Sequence, residues 1–496
     1  MATTTPVRHW TGTPRSNSYP VPEHMAILAM AISLTPPTLD ERMTATVTYR
    51  GQWRRWTAAG LASTLLLAGC GNNDDEIAEV IAPPSEAPAP PPPVAPAPPA
   101  VLKTAADVGT PLPTTQLDAV VAGSTAAGLA GAARCSVQIV DITYATTAPD
   151  GLTPTQASGA VMIPTGSSCL GPFPLVAYSR GTDMDKARAL AAPGDGEAQL
   201  VAALLASQGF VVAATDYLGY AKSTFPDHPY LHANSEATAN LDALRAAREV
   251  AAQRSVQLNG KVFVTGYSQG GHGSMATQKL IQASHAAEFV LAGAGHMSGP
   301  YNLVGSVTSA LAELPLGDLG STYYIPFTVT SLQKVYKNLY ATPGQFFKSP
   351  YDATIEGLFP GPSDVSVQDL IVQDKLPILL SSLVTDDFVL AALNVASPLH
   401  RALAVNSPID FAPAAPTLLC GGSKDPVVDY ENTRDAVAAF QAAGATAVSS
   451  FDVESDPAYA ALLRDDVIPV DFYTGYHASL VPPLCLLQVR NLFQTL

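Results

Sequence analysis

The chain has 496 residues, 47% of them hydrophobic, and a formal net charge of −16. That length allows two or three domains, and that apolar share allows a large core. The acid excess excludes a nucleic-acid-binding protein, since no basic face is present to neutralise phosphates.

Residues 1–42 are polar, proline-spotted and without periodicity, and are read as a non-structural upstream extension. Met43 opens a different composition and is taken as the true start. Arg50, Arg54 and Arg55 precede an apolar run from Ala58, which ends in Leu67-Ala68-Gly69-Cys70. A basic segment, an apolar core and small residues before a cleavage point are the parts of a secretory signal. The run is too short to span a bilayer as a permanent helix. Its ending resembles the lipobox of bacterial lipoproteins, so residues 43–70 are read as a lipoprotein-type signal; a plain secretory signal is the alternative. The resemblance implies cleavage before Cys70, lipidation of Cys70 and, because Gly71 follows, anchoring in a Gram-negative outer membrane. Residues 71–101 form a linker whose Ala82–Ala100 part is nearly all proline and alanine. Such a segment is extended and semi-rigid, a spacer between a membrane and the domain beyond it.

Four cysteines remain, Cys135, Cys169, Cys420 and Cys485. In an exported chain an even count suggests two disulfides, and three pairings are possible. Cys135–Cys169 and Cys420–Cys485 are favoured, because each pair lies within one end of the domain; buried free thiols are the alternative. No spacing suggests a metal site.

From about residue 134 strands alternate with helices, the signature of an α/β layer fold. Val137–Thr143, Gly159–Ile163, Phe173–Tyr178 and Phe210–Thr215 read as strands, and Ala198–Ser207 and Ser235–Ala252 as helices. Val262–Thr265 is a strand and Ser274–Ala283 a helix, with Gly266-Tyr267-Ser268-Gln269-Gly270 between them. Such a turn forces its serine into a strained conformation, and glycines flank it because side chains there would clash. The Gln269 N–H, opening the helix, can then face a developing oxyanion. After a strand at Phe289–Ala294 the alternation stops. Residues of about 302–399 read as a helical cap, with Leu370–Leu383 helix-like but broken by Pro377. Thr417–Cys420 and Ala447–Val453 resume the sheet, Asp429–Ala443 is helical, and Pro482–Phe493 is the closing helix.

A serine needs a base, and the base an orienting acid. Asp425 stands in the loop after the Thr417–Cys420 strand. Asp429 is the competitor and reads as a helix N-cap; Asp410 lies at the wrong end of that strand. His477, before the last helix, is the base; His400 is out of order. His272, His285, His296, His228 and His232 have bland readings as surface, cap or packing residues. The second oxyanion donor is expected after the third core strand, in Arg180-Gly181-Thr182: the Thr182 N–H first, Gly181 next. Arg180 either orients that loop or is a surface charge.

Asp216-Tyr217-Leu218-Gly219, Gly266–Gly271, Ser298-Gly299-Pro300-Tyr301 and Gly421–Asp425 with His477 together resemble the secretory lipase family, a lipase A-like branch of α/β-hydrolases, over roughly residues 130–496. The resemblance implies an α/β-hydrolase fold with a mostly parallel central sheet and a helical cap over the site, spanning residues 102–496. It also implies an exported carboxylic ester hydrolase with Ser268, Asp425 and His477 as triad. That chemistry needs no metal or organic cofactor, and no protein partner is predicted. The alternatives are a serine peptidase on the same fold and a non-catalytic surface lipoprotein. Phe346, Phe347, Leu358 and Phe359 in the cap suit an ester with an apolar acyl or aromatic part, and equally suit packing within the cap.

Overall fold

The computed structural model describes residues 100–312, 320–360, 367–463 and 475–496. Residues 1–99, with the upstream extension, the signal segment, Cys70 and the linker short of its last two residues, lie outside the described residues; Val101, the last of the linker, is buried and donates its N–H to Glu249. Nine strands form one sheet: β1 (Leu102–Asp107), β2 (Ser136–Thr147), β3 (Pro154–Thr165), β4 (Phe173–Ser179), β5 (Val211–Tyr217), β6 (Leu258–Tyr267), β7 (Val290–Met297), β8 (Thr417–Gly421) and β9 (Val448–Asp452). Their order is β1-β2-β3-β5-β4-β6-β7-β8-β9. The pairs β1–β2, β2–β3 and β3–β5 are antiparallel; all pairs from β5–β4 to β8–β9 are parallel. The sheet is therefore mixed, and mostly parallel where the strand alternation was read.

Central strands of such a sheet are covered on both faces, so their residues are apolar without polar alternation. All seven residues of β5 are buried. Alternate residues serve opposite layers. Val176 and Tyr178 of β4 join a core with helices α1 (Thr114–Ala122), α2 (Gly196–Leu204) and α10 (Val481–Thr495). Leu175 and Ala177 face the other way, onto α3 (Ala233–Gln253). Helix α4 (Gln269–Leu280) follows β6 and is buried from Gln269 to Gln278.

β4 is flanked by β5 on one side and β6 on the other. The connections diverge there, leaving a crevice beyond the carboxyl ends of β4 and β6, where ligands bind in open α/β sheets. β1 and α1 are additions to the expected elements. β1 has an exposed, polar-spotted sequence with little strand signature, and gains its place by pairing with β2.

Between β7 and β8 lie α5 (Leu303–Ala312), α6 (Ser321–Tyr336), α7 (Asp386–Leu393) and α8 (Pro398–Val405), with shorter helical pieces among them. They share a hydrophobic cluster that includes Phe327, Phe346, Phe347, Phe359 and Phe388. Helix α8 contributes Leu399 and Leu403 to it. The expected Leu370–Leu383 helix is split into Val367–Val372 and Leu380–Leu383, with Pro377 in the gap. Proline removes a backbone donor and clashes with the preceding turn. Disulfides join Cys135 to Cys169, at the ends of β2 and β3, and Cys420 of β8 to Cys485 of α10.

Candidate functional site

Ser268 stands between the last residue of β6 and the first of α4, with φ 58° and ψ −122°. For a residue with a Cβ this is strained, and it persists only where the surroundings impose it. The surroundings are backbone. A Cβ on Gly270 would lie 1.9 Å from the Ser179 carbonyl oxygen, and one on Gly266 2.2 Å from that of Gly270. The Ser268 N–H donates to the Met297 carbonyl at 3.0 Å, which fixes the turn to the end of β7.

Asp425 lies in the loop after β8. One carboxylate oxygen, Oδ1, accepts from the Val427 and Val428 N–H groups at 2.9 and 3.1 Å. The other, Oδ2, lies 2.7 Å from His477 Nδ1. His477 Nε2 lies 2.8 Å from Ser268 Oγ. A carboxylate only accepts, so Nδ1 carries the proton and Nε2 presents its lone pair to the serine hydroxyl. The Asp425 side chain is 1% exposed and that of His477 7%, so little water competes for these bonds. His477 sits in a π-helical turn, Tyr476–Leu480, that runs into α10. The Tyr267 hydroxyl holds that turn by donating to the His477 carbonyl at 2.7 Å. The three side chains come from three connections far apart in sequence, and the Cys420–Cys485 disulfide ties two of them together.

The loop after β4 packs against the serine: a Cβ on Gly181 would lie 4.0 Å from that of Ser268. Among the described residues, neither the Gln269 nor the Thr182 N–H has a hydrogen-bond partner. Gly181 is different. Its N–H donates to Glu197 Oε1 at 2.9 Å, so it is removed as an oxyanion donor. The sequence could not show this, because Glu197 reaches the loop from the start of α2. The Thr182 hydroxyl is 2.9 Å from the Tyr230 hydroxyl.

Arg180 is not a surface charge. It is wholly buried, with its guanidinium 4.6 Å from the Tyr220 ring centroid and 3.4 Å from an Asp183 oxygen. Asp429 accepts from the Glu431 N–H at 2.9 Å; helix α9 (Glu431–Ala442) begins there, and Tyr430 holds its N-cap position. Asp410 pairs with Lys279 at the surface. His400 lies in α8, bonded to the Ala392 carbonyl.

The histidines with bland readings divide. His228, His232, His272 and His296 are all buried. Burial pushes His228 and His296 down to about 3 and His232 to about 4. His272 packs its Nδ1 2.6 Å from Glu236 Oε2 and its Nε2 2.7 Å from the Asn406 carbonyl. Glu236 was not singled out by the sequence reading. Its signal was present: Glu236, Asn240, Ala243 and Ala247 form one helical stripe of α3, and an acid on a buried stripe calls for a partner.

A cleft partly open to solvent reaches Ser268. Leu231, Leu303, Ile325 and Leu403 give it an apolar wall, mostly from the cap, and Asp429, Glu431 and Asp435 give it an acidic one. Phe346, Phe347 and Phe359 are buried in the cap's own cluster and are absent from the lining. Their role is packing.

A model of the secretory lipase family matches residues 194–459. Among solved structures, the rice cell wall degrading esterase LipA from Xanthomonas oryzae is 34% identical; the match covers 79% of this chain and 97% of that one, with a TM-score of 0.69. A ligand-bound form of that esterase matches over the same shares with a TM-score of 0.70. A putative hydrolase from Legionella pneumophila, 21% identical over 80% of this chain and 98% of its own, shares the fold with a TM-score of 0.68. No curated protein matches the chain. An α/β-hydrolase sheet, an extended match to one family model and an esterase one-third identical lead to one conclusion: the chain belongs to the secretory lipase family, whose members are carboxylic ester hydrolases.

Proposed function

We propose that the chain is an exported serine esterase working through Ser268, His477 and Asp425. The observation that carries this is the single imidazole within hydrogen-bond distance of both a strained serine and a buried carboxylate. His477 Nε2 takes the proton from Ser268 Oγ as the oxygen attacks the ester carbonyl, and Asp425 stabilises the imidazolium. The Gln269 and Thr182 N–H groups receive the carbonyl oxygen as it gains charge. The tetrahedral intermediate collapses, His477 protonates the leaving alcohol, and Ser268 keeps the acyl group. Water, deprotonated by His477, then attacks the acyl-enzyme and releases the acid.

The apolar wall suits the acyl or aromatic part of the ester. The acidic wall disfavours anionic substrates and favours departure of the carboxylate product. Two disulfides and membership of a secretory family accord with an exported protein. The lipobox-like Cys70 and the linker up to residue 101 extend this to a domain tethered at an outer membrane, which is part of the proposal. A C70S variant is then expected in the soluble fraction. Recovery of C70S with the membranes, like the wild type, would sink the anchor.

The enzyme reading is tested with p-nitrophenyl esters of increasing acyl length, together with feruloyl and acetyl esters of plant cell-wall polysaccharide, since the similar Xanthomonas protein is described as a cell-wall-degrading esterase. The S268A variant is expected to lose about 10⁴-fold or more in kcat. A folded wild type inactive on every ester, or an S268A variant with unchanged activity, overturns it.

A further inference from the structure

Helix α4 starts without a side-chain cap. Ser268 occupies the N-cap position and its hydroxyl faces His477 instead. Other helices here are secured at that point: Asp195, Thr385 and Ser397 each accept from the first turn of α2, α7 and α8. The first N–H groups of a helix have no partner within it. At α4 one of them, that of Gln269, is the proposed oxyanion donor, and it has to remain unpaired and still hold its direction. Something other than a cap must anchor it.

The Gln269 side chain supplies the anchor. It is buried, and its amide nitrogen lies 2.7 Å from Glu236 Oε1 and 2.7 Å from His228 Nε2. The proton assignment is consistent around the network. His228 Nδ1 faces the Leu218 carbonyl at 2.9 Å and so carries the hydrogen. Its Nε2 is then an acceptor, as the neutral ring favoured by burial requires. Both hydrogens of the Gln269 amide are thereby used. Glu236 is 1% exposed and uses its remaining capacity on the Leu231 N–H at 3.2 Å and on His272 Nδ1. A Cβ on Gly273 would lie 3.3 Å from Glu236 Oε2, so the helices approach closely where the carboxylate stands. A buried carboxylate is a poor space-filler, since its desolvation is unfavourable unless partners compensate it.

We propose that Glu236 is a positioning residue for ester hydrolysis: it clamps the Gln269 side chain under the nucleophile turn and so holds the Gln269 N–H in the oxyanion site. This rests on the triad and oxyanion reading above. The clamp extends to the cap. His272 joins Glu236 to the Asn406 carbonyl, and Asn406 donates to the Tyr336 hydroxyl of α6 at 2.9 Å.

The test is steady-state hydrolysis of p-nitrophenyl butyrate by the full chain and its E236A, Q269A, E236A/Q269A, E236Q and S268A variants, with thermal melts alongside. Because the interaction matters as charge develops on the oxygen, E236A and Q269A are each expected to lower kcat about 10- to 100-fold, below the full loss of an oxyanion donor, with KM within about twofold. The double variant should lose no more than the worse single, since both act through one contact. E236Q should recover most of kcat, because its amide can accept from Gln269 and donate to His272. A Q269A variant with wild-type kcat, multiplicative losses in the double, or a rise in KM with kcat unchanged each overturns the clamp. If E236A does not fold, Q269A and E236Q alone decide. S268A separates the two claims: activity surviving there removes the triad, whereas activity lost there but intact in Q269A removes only the clamp.

Discussion

At the serine turn, backbone meets backbone: added Cβ atoms on Gly266, Gly270 and Gly271 would lie 2.2, 1.9 and 2.6 Å from main-chain oxygens. In the cap, across the same cleft, rings meet rings: Phe327 stacks on Tyr230 at 4.1 Å and on Phe359 at 5.1 Å, and Phe346 meets Phe388 edge-on at 5.6 Å. Backbone contacts of the first kind admit one residue type. Apolar contacts of the second kind tolerate any residues of suitable volume. One region therefore holds geometry, and the other can vary its shape without losing its fold.

The largest effect expected from this difference is at Gly270. Alanine there meets a carbonyl oxygen that cannot retreat without moving β4. G270A is expected to give no folded, active protein, or one with a melting temperature lowered by more than about 10 °C. Purified G270A with wild-type melting and kcat would break the comparison.

Acid should separate the two regions next. His228 and His232 lie at the seam with the cap, 6.2 Å from the Phe327 ring and 5.7 Å from the Tyr336 ring; His296 lies against α4, bonded to Ser274 and Gln278. All three are held below their unfolded values by burial. Their native forms stay neutral while the unfolded chain takes up protons. The stability they contribute is therefore present above about pH 6.5 and is lost as pH falls from there, towards 4 for His232 and towards 3 for His228 and His296. Each contributes up to about 2 kcal/mol between pH 7 and 5. Asp216 and Asp242, raised by burial, have the opposite sign and offset part of this at the acid end. Hydrogen exchange at pH 5 should show cap amides opening before those of β5 and β6. Uniform opening would mean that the seam is no weaker than the sheet.

This contrast also explains what could be read from the chain. Ser268, Asp425 and His477 stand out because the turn demands glycine and the chain order is restrictive. Phe346 and Phe359 could not be assigned, since an aromatic residue that packs and one that lines a cleft look alike in sequence. The Glu197 bond that occupies Gly181, the burial of Arg180 and the clamp on Gln269 were hidden for another reason: each depends on a partner brought in by the fold. β1 escaped because pairing with β2, and not its own pattern, makes it a strand.

The disulfides offer a paired comparison. Closing loops of 34 and 65 residues, each is expected to contribute about 4 kcal/mol on the chain-entropy model. Their effects on chemistry should differ. Cys420 lies in β8, the strand before Asp425, and Cys485 lies on the helix that follows His477, so serine at both should lower kcat as well as melting temperature. Serine at Cys135 and Cys169, away from the site, should lower the melting temperature alone. Equal kcat losses in the two variants would show that the second bridge does not hold the acid to the base.

The smallest effect is expected in the cap. Phe327 is fully buried, and F327A removes a ring at the centre of the aromatic stack, for about 3 kcal/mol of stability. That loss falls on a cluster built largely from the cap, which meets the sheet side at Tyr230, whose hydroxyl lies 2.9 Å from that of Thr182, and at His228. KM should therefore rise several-fold while kcat for a short ester changes little, because a cavity in the cap alters the wall that receives the acyl chain and leaves the serine turn in place. F327L, which restores much of the volume, should recover KM. If F327A instead lowers kcat with KM unchanged, the cap takes part in setting the oxyanion geometry, and the two regions act as one.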